Sequence, residues 1–136
     1  MTKKIRLFSL TILLLVILGI TACGGNKDAG RFVGSWKCSD SKGNATTITF
    51  NADGTWTRHV VSTVSSKGTD YTGKYKIDED ERTLTVKIDP LPDSRETYTT
   101  DVFYHYILTD DTLTLTGMRD SAENAEVYKR IKTDKH

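Results

Sequence analysis

The residues of this 136-residue sequence best suited to chemistry are two cysteines, three histidines and one run of acids. A nucleophilic site would need Ser or Cys beside a His that a carboxylate orients. His59 and His105 fall inside strand-like runs, His136 lies at the very end, and no Gly-x-Ser-x-Gly elbow occurs. Both strand histidines occupy odd positions, opposite the apolar parity of their runs, so they are expected to face solvent; zinc-like spacing is absent. Asp78-Glu79-Asp80-Glu81 lacks the alternating ligands and central Gly of a calcium loop and reads as a solvated turn. Cys38 has no CxxC partner and no nearby His, which fits a small half-buried side chain on a strand. No catalytic residue, metal ligand or cofactor is therefore expected.

What remains is aromatic: Trp36, Phe50, Trp56, Tyr71, Tyr75, Tyr98, Tyr104 and Tyr106. Most fall on faces assigned inward. Such a lining either holds a small apolar or amphipathic ligand or fills the interior completely, and the pattern leaves both open. Trp56, Tyr75, Tyr104 and Tyr106 are the ligand-binding candidates on the first alternative.

Cys23 belongs to a different kind of chemistry. Lys3, Lys4 and Arg6 precede an apolar stretch from Leu7 to Ile20, followed by the small residues Thr21 and Ala22, so residues 1–22 read as a secretory signal peptide. The stretch is shorter than the roughly 20 residues a spanning helix needs. Ile20-Thr21-Ala22-Cys23 resembles the lipobox of bacterial lipoproteins. That resemblance implies that Cys23 carries acyl chains and that the mature protein is tethered to a membrane without spanning it; two or more chains make such anchoring effectively permanent. The expected location is the bacterial cell envelope, with Gly24 after the Cys favouring the outer membrane in a Gram-negative cell. With Cys23 bound to lipid, Cys38 has no disulfide partner. Residues 23–31, with three Gly and no apolar periodicity, read as a lipidated flexible tether.

The whole-chain net charge of +1 is misleading. The first 22 residues hold three of the 19 basic residues and none of the 18 acids, so the remainder carries a net charge of −2. With no basic cluster, a nucleic-acid partner is excluded.

From Val33 onward the chain has the composition of a β protein, rich in Thr, Val and Ile and holding only two Pro. Period-two alternation recurs in eight runs. Trp36 and Cys38 mark the first, Thr46, Ile48 and Phe50 the second, and Trp56, Val60 and Val64 the third. Tyr71 to Ile77 form the fourth, and Leu84, Val86 and Ile88 the fifth. The sixth, Glu96 to Leu108, is long enough to need a bend or bulge. Leu113 and Leu115 mark the seventh, and Val127 to Arg130 the last. Eight antiparallel strands in about 100 residues fit an up-and-down barrel over 32–131, with a flattened β-sandwich as the competing closure and 132–136 as a polar tail.

Three local features then resemble lipocalin-like domains. Gly34-Ser35-Trp36 stands where lipocalin barrels open with Gly-x-Trp, Phe50 to Thr55 is similar to their second hairpin, and Tyr128-Lys129-Arg130 ends the last strand where they place an Arg. The resemblance implies that Gly34, Trp36 and Arg130 close the barrel. A guanidinium stacked on an indole excludes water with its stem while its charge sits over the ring, so Arg130 is expected within about 6 Å of Trp36. The combined expectation is a non-enzymatic, lipid-anchored, extracytoplasmic lipocalin-like protein with a small hydrophobic ligand as partner. The alternative is an envelope or inhibitor module that binds an envelope or host protein through the loops Asp89–Ser94 and Gly117–Asn124, with a solid barrel as scaffold.

Overall fold

Alternation of large apolar residues with Thr, Lys and Ser gives each run one face for a core and one for water, and in the computed structural model all eight runs are strands. The structure describes residues 27–133; the expected signal peptide and Cys23 lie outside them, as do the last three residues of the tail. A short helix α1 (Lys27–Phe32) leads into β1 (Gly34–Ser39), β2 (Ala45–Phe50), β3 (Thr55–Ser62), β4 (Ser65–Asp78), β5 (Thr83–Ile88), β6 (Thr100–Leu108), β7 (Thr112–Gly117) and β8 (Glu126–Arg130). Each strand pairs antiparallel with the next, and β8 returns to β1 through Trp36 opposite Arg130 and Lys37 opposite Lys129. The sheet is thus a closed up-and-down barrel, not a flattened sandwich.

The inward parity buries Trp36, Ile48, Phe50, Trp56, Leu84, Val86, Tyr106, Leu108, Leu113, Leu115 and Tyr128 in one core. Removing each of these from water contributes about 1.5–3 kcal/mol, which lets the domain stand without a disulfide. At one end, here the base, lie α1 and the turns 51–54, 79–82 and 109–111. At the other, the mouth, lie the turn 40–44, the β3–β4 turn, the loop 89–99 and the segment 118–125.

Three local expectations need correction. The tether assigned to 23–31 ends early, because Lys27–Phe32 is helical and buries Asp28 and Phe32. Val64 does not share the inward face of Trp56 and Val60: pairing slips between Val60 and Ser62, which places Val64 at the tip of a tight turn, 95% exposed. The long run before Leu108 is strand only from Thr100, so Tyr98 sits in the preceding loop and is mostly exposed.

One glycine is set by close approach of the chain. Gly73 on β4 lies opposite Trp56 on β3 and Ile88 on β5, and a Cβ there would stand 1.8 Å from the Lys87 carbonyl oxygen and 3.0 Å from the Trp56 indole nitrogen. Gly73→Ala is accordingly expected to cost about 1–3 kcal/mol by overpacking, read as a lower urea midpoint. An unchanged midpoint would show that β4 and β5 part freely.

Candidate functional site

The base of the barrel is sealed by residues from both ends of the domain. Phe32, fully buried at the end of α1, meets Phe50 and Tyr106 edge to face, with ring centroids 5.4 and 4.9 Å away. The Trp36 indole N–H donates to the Phe32 carbonyl at 2.9 Å. Arg130 lies over the Trp36 ring, 4.1 Å from its centroid, the stacking expected from the sequence. Its guanidinium also donates to the carbonyls of Asp110 (2.9 Å), Val33 (3.0 Å) and Arg31. Gly34 is required beside it: its φ is +129°, and a Cβ would come 3.0 Å from Arg130 Nη1. Asp28 is buried against the same end, accepting a hydrogen bond from the Tyr106 hydroxyl at 2.8 Å and pairing with Arg31 (3.3 Å) and Arg82 (3.6 Å).

Above this plug the interior is nearly solid. The cavity bounded by Ile48, Trp56, Leu84, Val86, Tyr104 and Leu115 has a volume of about 20 Å³, room for about one water. Its roof is polar. Arg58, inward on β3 between Trp56 and Val60, faces Glu126, inward on β8, with Nη2 and Oε1 3.8 Å apart. The Tyr128 hydroxyl donates to the other Glu126 oxygen at 2.5 Å. Arg58 Nε is buried with no hydrogen-bond partner among the described residues, an arrangement that ordinarily costs about 1–3 kcal/mol.

Arg58 and Glu126 also form the floor of a basin of about 550 Å³ at the mouth, walled by Cys38, Thr46, Val60, Ser62, Ala125 and Val127. The rim is stiffened by Asp40, whose carboxylate accepts from the Asn44 amide group (2.7 Å) and from the backbone N–H groups of Lys42 and Asn44; the Asn44 side-chain bond, above all, holds its pKa below the usual carboxylate range. Burial pushes the Cys38 thiol up, so at neutral pH it stays protonated and acts as part of the wall.

The four aromatic candidates do not converge on one cavity. Trp56 is buried in the core, its indole nitrogen 3.4 Å from the Lys87 carbonyl. Tyr104 borders the small interior void beside it. Tyr75 and Tyr106 point to the base, where their hydroxyls donate to the Asn51 carbonyl (2.8 Å) and to Asp28. His59 and His105 lie exposed on the outer faces of β3 and β6, and His59 Nδ1 approaches Asp70 at 2.5 Å. Sequence reasoning missed Arg58, Glu126, Asp28 and Phe32. The first two share parity with Trp56 and Tyr128, so a charged residue at an inward position was the available signal.

A closed eight-stranded antiparallel barrel, with Gly34 and Trp36 at the start of its first strand and an Arg from its last strand on that Trp, is a lipocalin-type barrel. The chain belongs to the lipocalin-like domain family, whose model matches residues 32–115. An NMR structure of a protein from Bacteroides uniformis is similar to it with TM-score 0.55 and 22% identity, over 77% of this chain and 93% of that one. A crystal structure of a lipocalin-like protein from the same species aligns with TM-score 0.49 and 12% identity, over 75% and 100% of the two chains. The first of these shares the fold. No curated protein matches the chain significantly.

Two measurements check the sealed base. Arg130→Met removes the charge over Trp36 and three charge-assisted hydrogen bonds, and is expected to cost about 2–4 kcal/mol. Hydrogen exchange should speed first in α1; equal protection in variant and wild type would contradict the assignment. The Tyr106 and Tyr128 phenols are both raised, first by burial and then by their bonds to Asp28 and Glu126. An acid raised in the folded state stabilises the fold fully below its unfolded pKa, about 10 for Tyr, and that contribution falls as pH rises beyond it. Alkaline titration should therefore destabilise the barrel above about pH 10, with the two phenols ionising only as near-UV dichroism is lost.

Proposed function

We propose that the protein is a lipid-anchored, extracytoplasmic binding protein that takes a small ligand in the basin at the mouth of its barrel, not in the interior. The observation that carries this reading is the division of space. The interior offers about 20 Å³, far below the few hundred that a ligand needs, whereas the basin offers about 550 Å³. Membership of the lipocalin-like family supports a binding role over a catalytic one. The small hydrophobic ligand expected from the aromatic pattern becomes, on this geometry, a small amphipathic one, since the basin floor carries Arg58 and Glu126.

The anchor gives the basin its setting. Cys23 is separated from α1 by only three residues, so acyl chains on Cys23 hold the sealed base toward the membrane and turn the mouth away from it. In a Gram-negative envelope this membrane is the outer one. A second reading, a module that grips an envelope or host protein with its mouth loops, is favoured by the filled interior and by the exposed Leu91 and Met118 beside those loops.

Two experiments test the proposal. Cys23→Ala is expected to abolish incorporation of labelled palmitate, and label retained in that variant would remove the anchor. Native mass spectrometry of the full chain extracted from membranes should show a copurified small molecule whose release shifts the amide resonances of Cys38, Thr46 and Val60. A bare chain that retains a protein instead would establish the second reading.

A further inference from the structure

The basin floor holds two opposite charges side by side, each with unused bonding capacity. The Arg58 side chain donates no hydrogen bond among the described residues, its Nε is buried without a partner, and its 3.8 Å approach to Glu126 is an ion pair too long to be a hydrogen bond. Glu126 is held in place by the fully buried Tyr128, whose hydroxyl occupies Oε2 and leaves Oε1 toward Arg58. Both residues border the interior void below and the basin above, so the pair lies at the junction between them.

The chemistry of an occupant follows from that pairing. A simple anion on Arg58 would also meet the carboxylate of Glu126 and, at the rim, that of Asp40. A simple cation on Glu126 would meet the guanidinium. A small molecule that presents an anionic acceptor beside a cationic donor satisfies both partners at once and leaves neither charge opposed. We infer that the basin recognises a zwitterion of the α-amino-acid type, its carboxylate accepting from the Nη groups of Arg58 and its ammonium donating to Glu126 Oε1. The side chain then rises along the wall formed by Cys38, Val60 and Val127. This assignment rests on the mouth-basin reading above and adds the class of ligand to it.

Three related probes separate the contributions: leucine, 4-methylpentanoate, which is leucine without its amine, and isopentylamine, which is leucine without its carboxylate. Titrated into the full-length, isotope-labelled protein in detergent micelles, leucine is expected to shift the Arg58 Nε–H resonance together with the amides of Val60 and Glu126. The two single-charge analogues are expected to bind at least about tenfold more weakly. Arg58→Gln and Glu126→Gln should each erase that preference while leaving the rest of the spectrum unchanged. 4-Methylpentanoate binding as tightly as leucine overturns the zwitterion and leaves the mouth as a ligand site for an anion. If none of the three moves a mouth resonance at about 10 mM, the zwitterion is likewise overturned; the mouth reading itself falls only if the membrane-extracted chain also carries no small molecule.

Discussion

An up-and-down barrel must bring its last strand back to its first, and in this protein that seam is only two residue pairs wide. Arg130 makes so narrow a seam sufficient. One side chain covers the Trp36 ring and binds three carbonyls, from the entry segment (Arg31, Val33) and from the β6–β7 turn (Asp110), so it ties the chain's start, its end and the base turn together. A Cβ at residue 34 would stand 3.0 Å from Arg130 Nη1, and the positive φ there is one that glycine adopts freely. The rest of the structure follows from this contact, because the same residues fix where α1 enters and thus where Phe32 seats.

With the base plugged, the barrel fills from the bottom. Phe32, Phe50 and Tyr106 interlock there, and Trp56, Leu84 and Leu115 occupy the middle. Along the barrel axis, the space beneath Arg58 and Glu126 is about 20 Å³, and the larger opening lies above them. The lipocalin-like family is known for binding inside its barrels, yet in so short a chain the aromatic residues that form a lining elsewhere become filling. The proposed ligand site therefore lies toward the mouth, where polar and apolar walls meet above the inward Arg58 and Glu126.

Much of the fold was legible in the sequence because strand alternation is local. Ile48 and Phe50, Leu84 and Val86, and Leu113 and Leu115 announce their buried face by spacing alone, and the turn residues between them mark where the chain reverses. The same reasoning failed at Val64 and Tyr98, where a slip in pairing and a late strand start changed the outcome without changing the local pattern. It also failed at α1, since six residues are too few for helical periodicity to show and Asp28 and Phe32 are buried by partners from distant strands and turns, Phe50, Glu79 and Tyr106 among them.

By itself, then, the sequence determined the strand count, the inward parity and the closing Gly34, Trp36 and Arg130 set. Only the tertiary structure decided that the interior is filled, that Tyr75 and Tyr106 serve the base, and that Arg58 meets Glu126 beneath an open basin. The physical reason is that the direction of a side chain follows from its neighbours in sequence. Whether it leaves space or finds a partner depends on volumes and charges contributed by strands that meet only when the barrel closes.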